Sequence, residues 1–494
     1  MLQPVDMMFG EYLPDMPAFR NPGMTMARNC RPGPTGFMDL NGLSTTSNAV
    51  DARVQGAGTF RSAAGVVVSY AATATKLYQL TGTSWTDSTG TALDIADDQI
   101  GEFAKFGEKV IWSYYSTAAV EMQSITMGNP TFANHLVSTL KPRFGTIARV
   151  RDFLFGGKSY DTVYGPQHQR LWWSAFGDST DFDPAAATQS DFQDLDANDG
   201  EIKRIVGRDY ATVYMDKAIW RATYSPSDVF FQLDKMSRNR GCLAKGSIAS
   251  LGRFDIFLDS DGMYLFDGTE VTNIGANKIN KTLTDELDTN YLERISSAVD
   301  PIEQMYVIAI PTNGSSGVVN RQYWYHLPTQ KWSDSDISLE MVFEDASKGV
   351  SIDDFDPLFA SIDVIVPNLD SRVWAGGSDI LGAFSTSHIL GGFDGTPLTA
   401  RLETGEPDSG RKLQYLREIW PYVQGDAPTI TVQIGARSDQ AGTVTYSTAV
   451  SPQTTTGAAK VRTKSRYQRV RLNIANGFDH AYGVRAYGRA AGMR

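Results

Sequence analysis

The sequence predicts an all-β protein: a propeller-like body of short strands over roughly residues 46–395, a C-terminal β-sandwich-like module over 396–494, and few helices. Three observations carry this. Short β-type runs punctuated by glycine turns fill the middle of the chain. One strand–turn–strand pattern returns with the same aromatic spacing. The last ~100 residues alternate apolar and polar side chains with a period of two, the mark of a sheet with one solvated face.

Composition agrees. At 494 residues the chain is long for a single core, and its 41% apolar and 20% charged residues are those of a globular protein able to bury one. Forty-five glycines and 11% aromatic residues favour many strands joined by tight turns over long helices. Cys30 and Cys242 stand far apart with no CxxC partner, so neither a disulfide framework nor a thiolate zinc site is expected. Met1 to Asp6 carries no basic stretch leading into an apolar one, and nowhere is there the apolar run of ~18 residues that a membrane-spanning helix needs. Synthesis and folding in the cytoplasm, with no membrane span, is the expectation.

Residues 1–45 read as an extended, proline-rich arm, with Leu13-Pro14, Met16-Pro17, Asn21-Pro22-Gly23 and Arg31-Pro32-Gly33-Pro34. Its Phe9, Tyr12, Phe19 and Phe37 imply that the arm is packed against something. The body then offers Val66–Val68, Lys76–Leu80, Lys109–Trp112, Phe153–Phe155 and Phe254–Leu258 as strands, with Gly82, Gly107, Gly156-Gly157 and Asp261-Gly262 as punctuation. Tyr78-x-Leu80 followed by Trp85-Thr86-Asp87 returns as Tyr325-x-Leu327 followed by Trp332-Ser333-Asp334, and more loosely in Met263-Tyr264 with Gly268-Thr269. Such recurrence is how propeller blades look in sequence.

Two helices are expected, over Lys278–Ile295 on the stripe Ile279, Leu283, Leu287 and Tyr291, and over Thr131–Leu140 before Pro142. In the last module Ile430, Val432, Ile434 and Val470, Leu472, Ile474 alternate with polar neighbours. Charge sharpens that boundary. Residues 396–494 hold 14 Lys and Arg against 7 Asp and Glu, or +7; the whole chain holds 45 against 56, which leaves residues 1–395 with 31 against 49, or −18. A basic module on an acidic body points to an asymmetric assembly surface.

Signatures of chemistry are missing. There is no phosphate-binding P-loop and no dinucleotide glycine fingerprint, and Gly314-Ser315-Ser316-Gly317 lacks nucleophile-elbow spacing. His135, His168, His326, His388 and His480 are scattered without HxH or HxxxH pairing. Asp259-Ser260-Asp261-Gly262 starts like a calcium loop but lacks its later carboxylate, and a hairpin turn explains it more cheaply. Asp353-Asp354-Phe355-Asp356 and the run Asp194 to Asp199 could supply the paired carboxylates of a glycosidase, a weak signal in a chain of this size. No catalytic residue, cofactor or metal site is assigned, and no hydrolysis of glycans, peptides or nucleic acids is expected.

Three stretches together carry a resemblance. The first is Leu13-Pro14 through Phe19-Arg20-Asn21-Pro22-Gly23, with Ala27-Arg28-Asn29 and Pro34-Thr35-Gly36-Phe37. The second is Ser190–Leu195, Ile205-Val206-Gly207, Ala218–Arg221 and Arg238–Cys242, continuing into Leu258–Gly268. The third is Ala400–Glu406 with Arg466–Arg471. Together they resemble the hub or nozzle family of short-tailed bacteriophages, the packaged-DNA stabilisation proteins. That resemblance implies a structural virion protein, not an enzyme: a β-propeller-like subunit of a hexameric ring in the tail, assembled in the host cytoplasm. It would sit below an adaptor ring, meet tail fibre, spike or needle proteins, and pass genomic DNA through its lumen without specific binding.

An acidic body suits such a conduit, because lysine or arginine along the wall would add affinity for each phosphate and brake the duplex. A ring lumen lined mainly by Asp and Glu is therefore expected, with the basic module and the arm at the periphery or against neighbouring rings and the arm's aromatics serving contacts. On that reading an arm truncated through Phe37 leaves a folded subunit that assembles poorly. The alternative from another class is a tail-associated glycan depolymerase or sialidase-like propeller, which needs two carboxylates across an aromatic-flanked cleft.

Overall fold

The computed structural model describes residues 3–118, 120–226, 229–347, 361, 377–408 and 412–491. Strands take up 52% of it and helices 4%, far below the third that an ordinary mixed fold would show, so the all-β expectation holds. Five consecutive four-stranded antiparallel sheets open at Gly56–Arg61, Glu102–Phe106, Arg143–Val150, Ile202–Gly207 and Ala249–Leu251. A sixth meander runs through Ser296–Asp300, Met305–Pro311, Val319–His326 and Lys331–Ser335, and a seventh through Leu339–Ala346, Asp379–Ser385 and Leu390–Gly392. The opening strands of all seven line one central channel, and Leu339–Ala346 packs back onto Gly56–Arg61. Among the described residues this is a propeller of seven blades.

The seventh blade is completed from the other end of the body. Residues 42–50 run along its outer edge, where the N–H groups of Ser44, Thr46 and Val50 donate to the carbonyls of Gly392 (2.8 Å), Leu390 (2.9 Å) and His388 (3.1 Å). The chain then enters the first blade at Gly56. Segments more than 300 residues apart thus share one sheet, and the ring closes without a loose edge.

Each blade interface holds its own apolar cluster. Tyr70, Trp112 and Phe132 lie between the first and second blades, Ile111, Phe144 and Trp172 between the second and third, and Phe155, Trp173 and Val213 between the third and fourth. Tyr214 and Phe257 join the fourth to the fifth, Val307 and Leu381 the sixth to the seventh, and Tyr78 and Phe384 the seventh to the first. The fifth and sixth blades share a larger cluster with the second module.

That second module is a pair of sheets built from both ends of the chain. One contains Cys30–Gly33, Gly36–Asp39, His480–Ala490, Gln414–Gln424 and Ala459–Ser465, with Gln3–Met8 also paired to His480–Ala490. The other runs Met24–Arg28, Ala400–Thr404, Tyr467–Ala475, Thr429–Arg437 and Thr445–Tyr446. The alternation at 430–434 and 470–474 does what it predicts: Val432, Ile434, Val470, Leu472 and Ile474 are buried between the sheets. Phe9, Tyr12, Met24, Ala27 and Phe37 of the arm are buried in the same core. The arm's aromatics therefore serve this chain's own fold, which corrects the expectation that they are kept for contacts between subunits.

The repeated pattern also resolves differently from its spelling. Tyr78 pairs with Asp87, and Tyr264 pairs with Asn273 nine residues on in the same way, each hairpin turning at a glycine of positive φ, Gly82 or Gly268. In the copy with identical spacing Tyr325 instead pairs with Trp332, a register two residues away. The looser match is the structural one. Gly156 and Gly157 are not a turn but lie inside Phe153–Asp161, where a Cβ would overlap the Phe144 ring or the Ile202 side chain of neighbouring strands.

Both helix expectations need correction. Only Asn280–Glu286 is α-helical, with Ile279, Leu283 and Leu287 buried. The stripe breaks there because the Asp288 N–H donates to Pro311 O (3.0 Å) and the Asp288 carboxylate caps a separate 3-10 turn over Thr289–Arg294. Thr131–Leu140 is no helix: Ala133–Asn134 pairs with Gln123–Thr126 as an outer strand.

Candidate functional site

The two described acidic stretches singled out in the sequence are neutralised by cations from other segments. At the hairpin Asp259–Gly262, Arg240 Nη1 lies 2.8 Å from Asp261 and 3.4 Å from Asp259, and Tyr264 donates its hydroxyl to Asp261 (3.0 Å). Asp194 accepts a fork from Arg170 at 2.6 and 2.9 Å, and that guanidinium lies 4.0 Å from the centre of the Phe192 ring. Asp196 caps the short turn Ala197–Asp199, and Asp199 receives Lys235 at 2.7 Å and the Trp220 indole N–H at 2.9 Å. These carboxylates hold hairpins and blades together. Asp353, Asp354 and Asp356 lie outside the described residues.

The histidines stay apart. His168 approaches Glu201 at 3.3 Å, His388 is 2.6 Å from Glu340, and His326 meets Thr329. Among the described residues no group of three or more His, Cys, Asp or Glu could hold a metal ion. Both thiols are buried, which pushes the Cys242 pKa up to about 11 and that of Cys30 well above the ordinary value.

His135 is the one deeply buried imidazole. Its Nε2–H donates to Ser179 O (2.8 Å) and its Nδ1 lies 2.9 Å from the Ser124 hydroxyl. Burial lowers its pKa from 6.5 to about 4. The unfolded chain takes up this proton near 6.5 and the folded state only near 4. Stability present above pH 6.5 is therefore lost as the pH falls between those values, by up to about 3 kcal/mol. Urea midpoints measured from pH 7 to 4 should fall for the wild type and fall less for His135→Asn; parallel curves would refute the assignment.

Two cavities lie on the propeller axis. The channel along it has a volume of about 430 Å³ and is lined by Glu102, Lys105, Arg149, Arg204 and Glu344 among others, cations and carboxylates mixed. A second cavity of about 230 Å³ opens at one mouth, lined by Asp98, Tyr115, Lys158, Glu201, Lys203, Lys245 and Glu293. Asp98, Lys245 and Glu293 come from the loops that lead into the inner strands of the second, fifth and sixth blades. Glu201 and Lys203 come from the entry to the fourth blade's inner strand, Tyr115 from the loop after Lys109–Ser113 and Lys158 from within Phe153–Asp161. Burial raises the pKa of Glu201, but hydrogen bonds and charge from Lys203 (2.6 Å) and Lys158 (2.9 Å) outweigh it and hold the carboxyl at about 2. Burial lowers Lys245 to about 8, against Glu102 at 3.5 Å, and its ammonium donates to the carbonyls of Ile100 and Gly145. Burial also raises Glu293. Glu201 is committed to cations on two sides, while Asp98 and Glu293 share the same mouth, the Asp98 charge adding to the rise of Glu293.

The densest buried charge lies where the arm meets the C-terminal strands. Met24–Arg28 pairs with Ala400–Thr404, which pairs with Tyr467–Ala475. Glu406, with its side chain fully buried, receives Arg437 at 2.6 Å and Arg469 at 2.8 Å. Glu403 receives Arg469 at 3.0 Å, Arg471 at 2.8 Å and the Tyr446 hydroxyl at 2.7 Å. On the propeller side Arg28 and Arg321 both reach Asp334, at 2.8 and 3.0 Å. Leu258 and Met263 from the central stretch pack into the same core. This joint holds strands of one sandwich sheet together through Glu403 and Glu406 and ties the arm to the sixth blade through Arg28 and Asp334. The sequence reading missed its role, although Glu403-x-x-Glu406 and Arg469-x-Arg471 were visible as text.

Sequence reasoning also missed an aromatic and arginine face on the outside of the sandwich, around Trp420, Tyr422, Arg485 and Tyr487. The alternation Arg485-x-Tyr487-x-Arg489 was its available signal. Compared with known proteins, the chain matches no family model and no curated protein.

Proposed function

We propose that the chain is a structural subunit of a short-tailed bacteriophage tail, part of the hub or nozzle ring that retains packaged DNA and conducts it during ejection. The observation that supports this best is the meeting of the first and third resembling stretches, distant in sequence, in one sheet of the sandwich that Arg28 ties to Asp334 of the sixth blade. Backbone pairing and buried charge joining such distant segments suit an architectural part, and the described acidic clusters at residues 194–199 and 259–261 are held in ion pairs. In this reading six copies form the ring, the adaptor ring lies above it, and fibre, spike or needle proteins attach to it.

The channel through one propeller has the volume of a small-molecule pocket, about 430 Å³. A duplex would therefore pass along the axis of the ring, between subunits. The wall facing it is expected to be acidic, because only charges within a screening length of ~8 Å act on the phosphates at physiological salt. Imaging the purified chain by negative stain should show rings of six. A chain that stays monomeric at high concentration, or that turns over host surface glycan, would replace this proposal with the depolymerase alternative.

A further inference from the structure

The sheet of the sandwich that carries Gln414–Gln424 and His480–Ala490 buries one face and leaves the other bare. Ile419, Val484 and Ala486 point into the core. On the opposite face Trp420 is 37% exposed and lies 6.3 Å from Tyr487, ring centre to ring centre. Tyr422 stacks on Tyr482 at 5.5 Å with an interplanar angle of 11°. Arg485 lies 5.8 Å from the Tyr422 ring and is held by Asp6 at 2.6 and 3.0 Å, while exposed Arg489 lies 5.7 Å from the Tyr415 ring. The neighbouring strand Ala459–Ser465 adds exposed Lys460, Arg462 and Lys464 at the rim.

This is the anatomy of a protein interface: a centre of tryptophan, tyrosine and arginine inside a charged rim. We infer that this face docks onto the acidic propeller of an adjacent copy of the same chain, an inference that rests on the ring reading. Charge selects the occupant. A cationic rim cannot meet its own image across a two-fold axis, because like charges brought together cost several kcal/mol. The chain itself carries the complement: residues 1–39 and 396–494, which build the sandwich, hold 17 Lys and Arg against 11 Asp and Glu, or +6, and residues 40–395 hold 28 against 45, or −17. A patch that must meet a different patch on its neighbour is a head-to-tail contact, the kind that closes rings. A nucleic-acid strand fits less well, since stacking platforms for bases stand free, whereas these rings already pair with one another.

The test uses the full chain and sedimentation velocity at 0.05, 0.15 and 0.5 M salt, with thermal melting as the control for folding. Trp420→Ala should weaken assembly on the order of 30-fold. Arg462→Glu with Lys464→Glu should weaken it most at low salt, and both variants should melt like the wild type. If the wild type forms rings and the variants form them equally well, the docking inference is overturned while the ring reading stands. If the wild type remains monomeric at every salt concentration, both fall. Variants that still form rings but lose retention on heparin or an oligo-dT column would assign the face to an anionic polymer and overturn docking between copies.

Discussion

Deleting residues 1–39 should leave a chain whose sandwich does not fold. The segment supplies Gln3–Met8, Met24–Arg28, Cys30–Gly33 and Gly36–Asp39 to the two sheets, and it buries Phe9, Tyr12, Met24 and Phe37 to 4% exposure or less. At about 1.5–3 kcal/mol for each large apolar side chain, the loss is on the order of 10 kcal/mol, comparable to the whole stability of a typical domain. The propeller should survive, because residues 42–50 remain to complete its seventh blade. Limited proteolysis would then digest residues beyond 398 and spare the body. Extending the deletion to residue 51 removes the closing strand and should make the body protease-sensitive as well. A truncated chain with an intact sandwich that merely fails to form rings would restore the view of the arm as an assembly device.

Replacing Glu406 by alanine should cost about 3–5 kcal/mol, read as a drop in the denaturant midpoint. The change strands Arg437, whose side chain is only 13% exposed, without a carboxylate and leaves Arg469, 11% exposed, with Glu403 alone. Two residues on, the ion pair of Asp408 with Arg20 has side chains 34% and 67% exposed, so Asp408→Ala should change stability by less than about 1 kcal/mol. The two variants share a loop and a charge type and differ in burial alone. Equal effects would mean that the joint is held by its apolar contacts and that its charges are incidental.

What was legible in the sequence is what local chemistry decides. Period-two alternation marks which side of a strand is buried, and Val432, Ile434, Leu472 and Ile474 obeyed it. Glycines with positive φ marked real turns at Gly82 and Gly107. The all-β class followed from such signals. The acidic clusters were legible as clusters, but their meaning was not, because Arg240, Lys235 and Arg170 approach them from other strands.

Partners across space were left to the tertiary structure. Backbone hydrogen bonds between strands carry no side-chain label, so nothing in residues 42–50 says that they lie along Leu390–Gly392, and nothing in Met24–Arg28 names Ala400–Thr404 as its neighbour. The same cause misplaced the repeat: Tyr78 and Tyr325 share their spacing to tryptophan, yet the length of the turn set a different register for each. It also ended the helix at Glu286, where an apolar stripe favoured continuation: the Leu287 N–H still donates to Leu283 O, but a strand carbonyl at Pro311 takes that of Asp288. By itself the sequence determined strand content, buried faces and net charge; pairing, closure of the ring and the ion-paired joint were decided only in three dimensions, because they depend on groups hundreds of residues apart meeting in one low-dielectric interior.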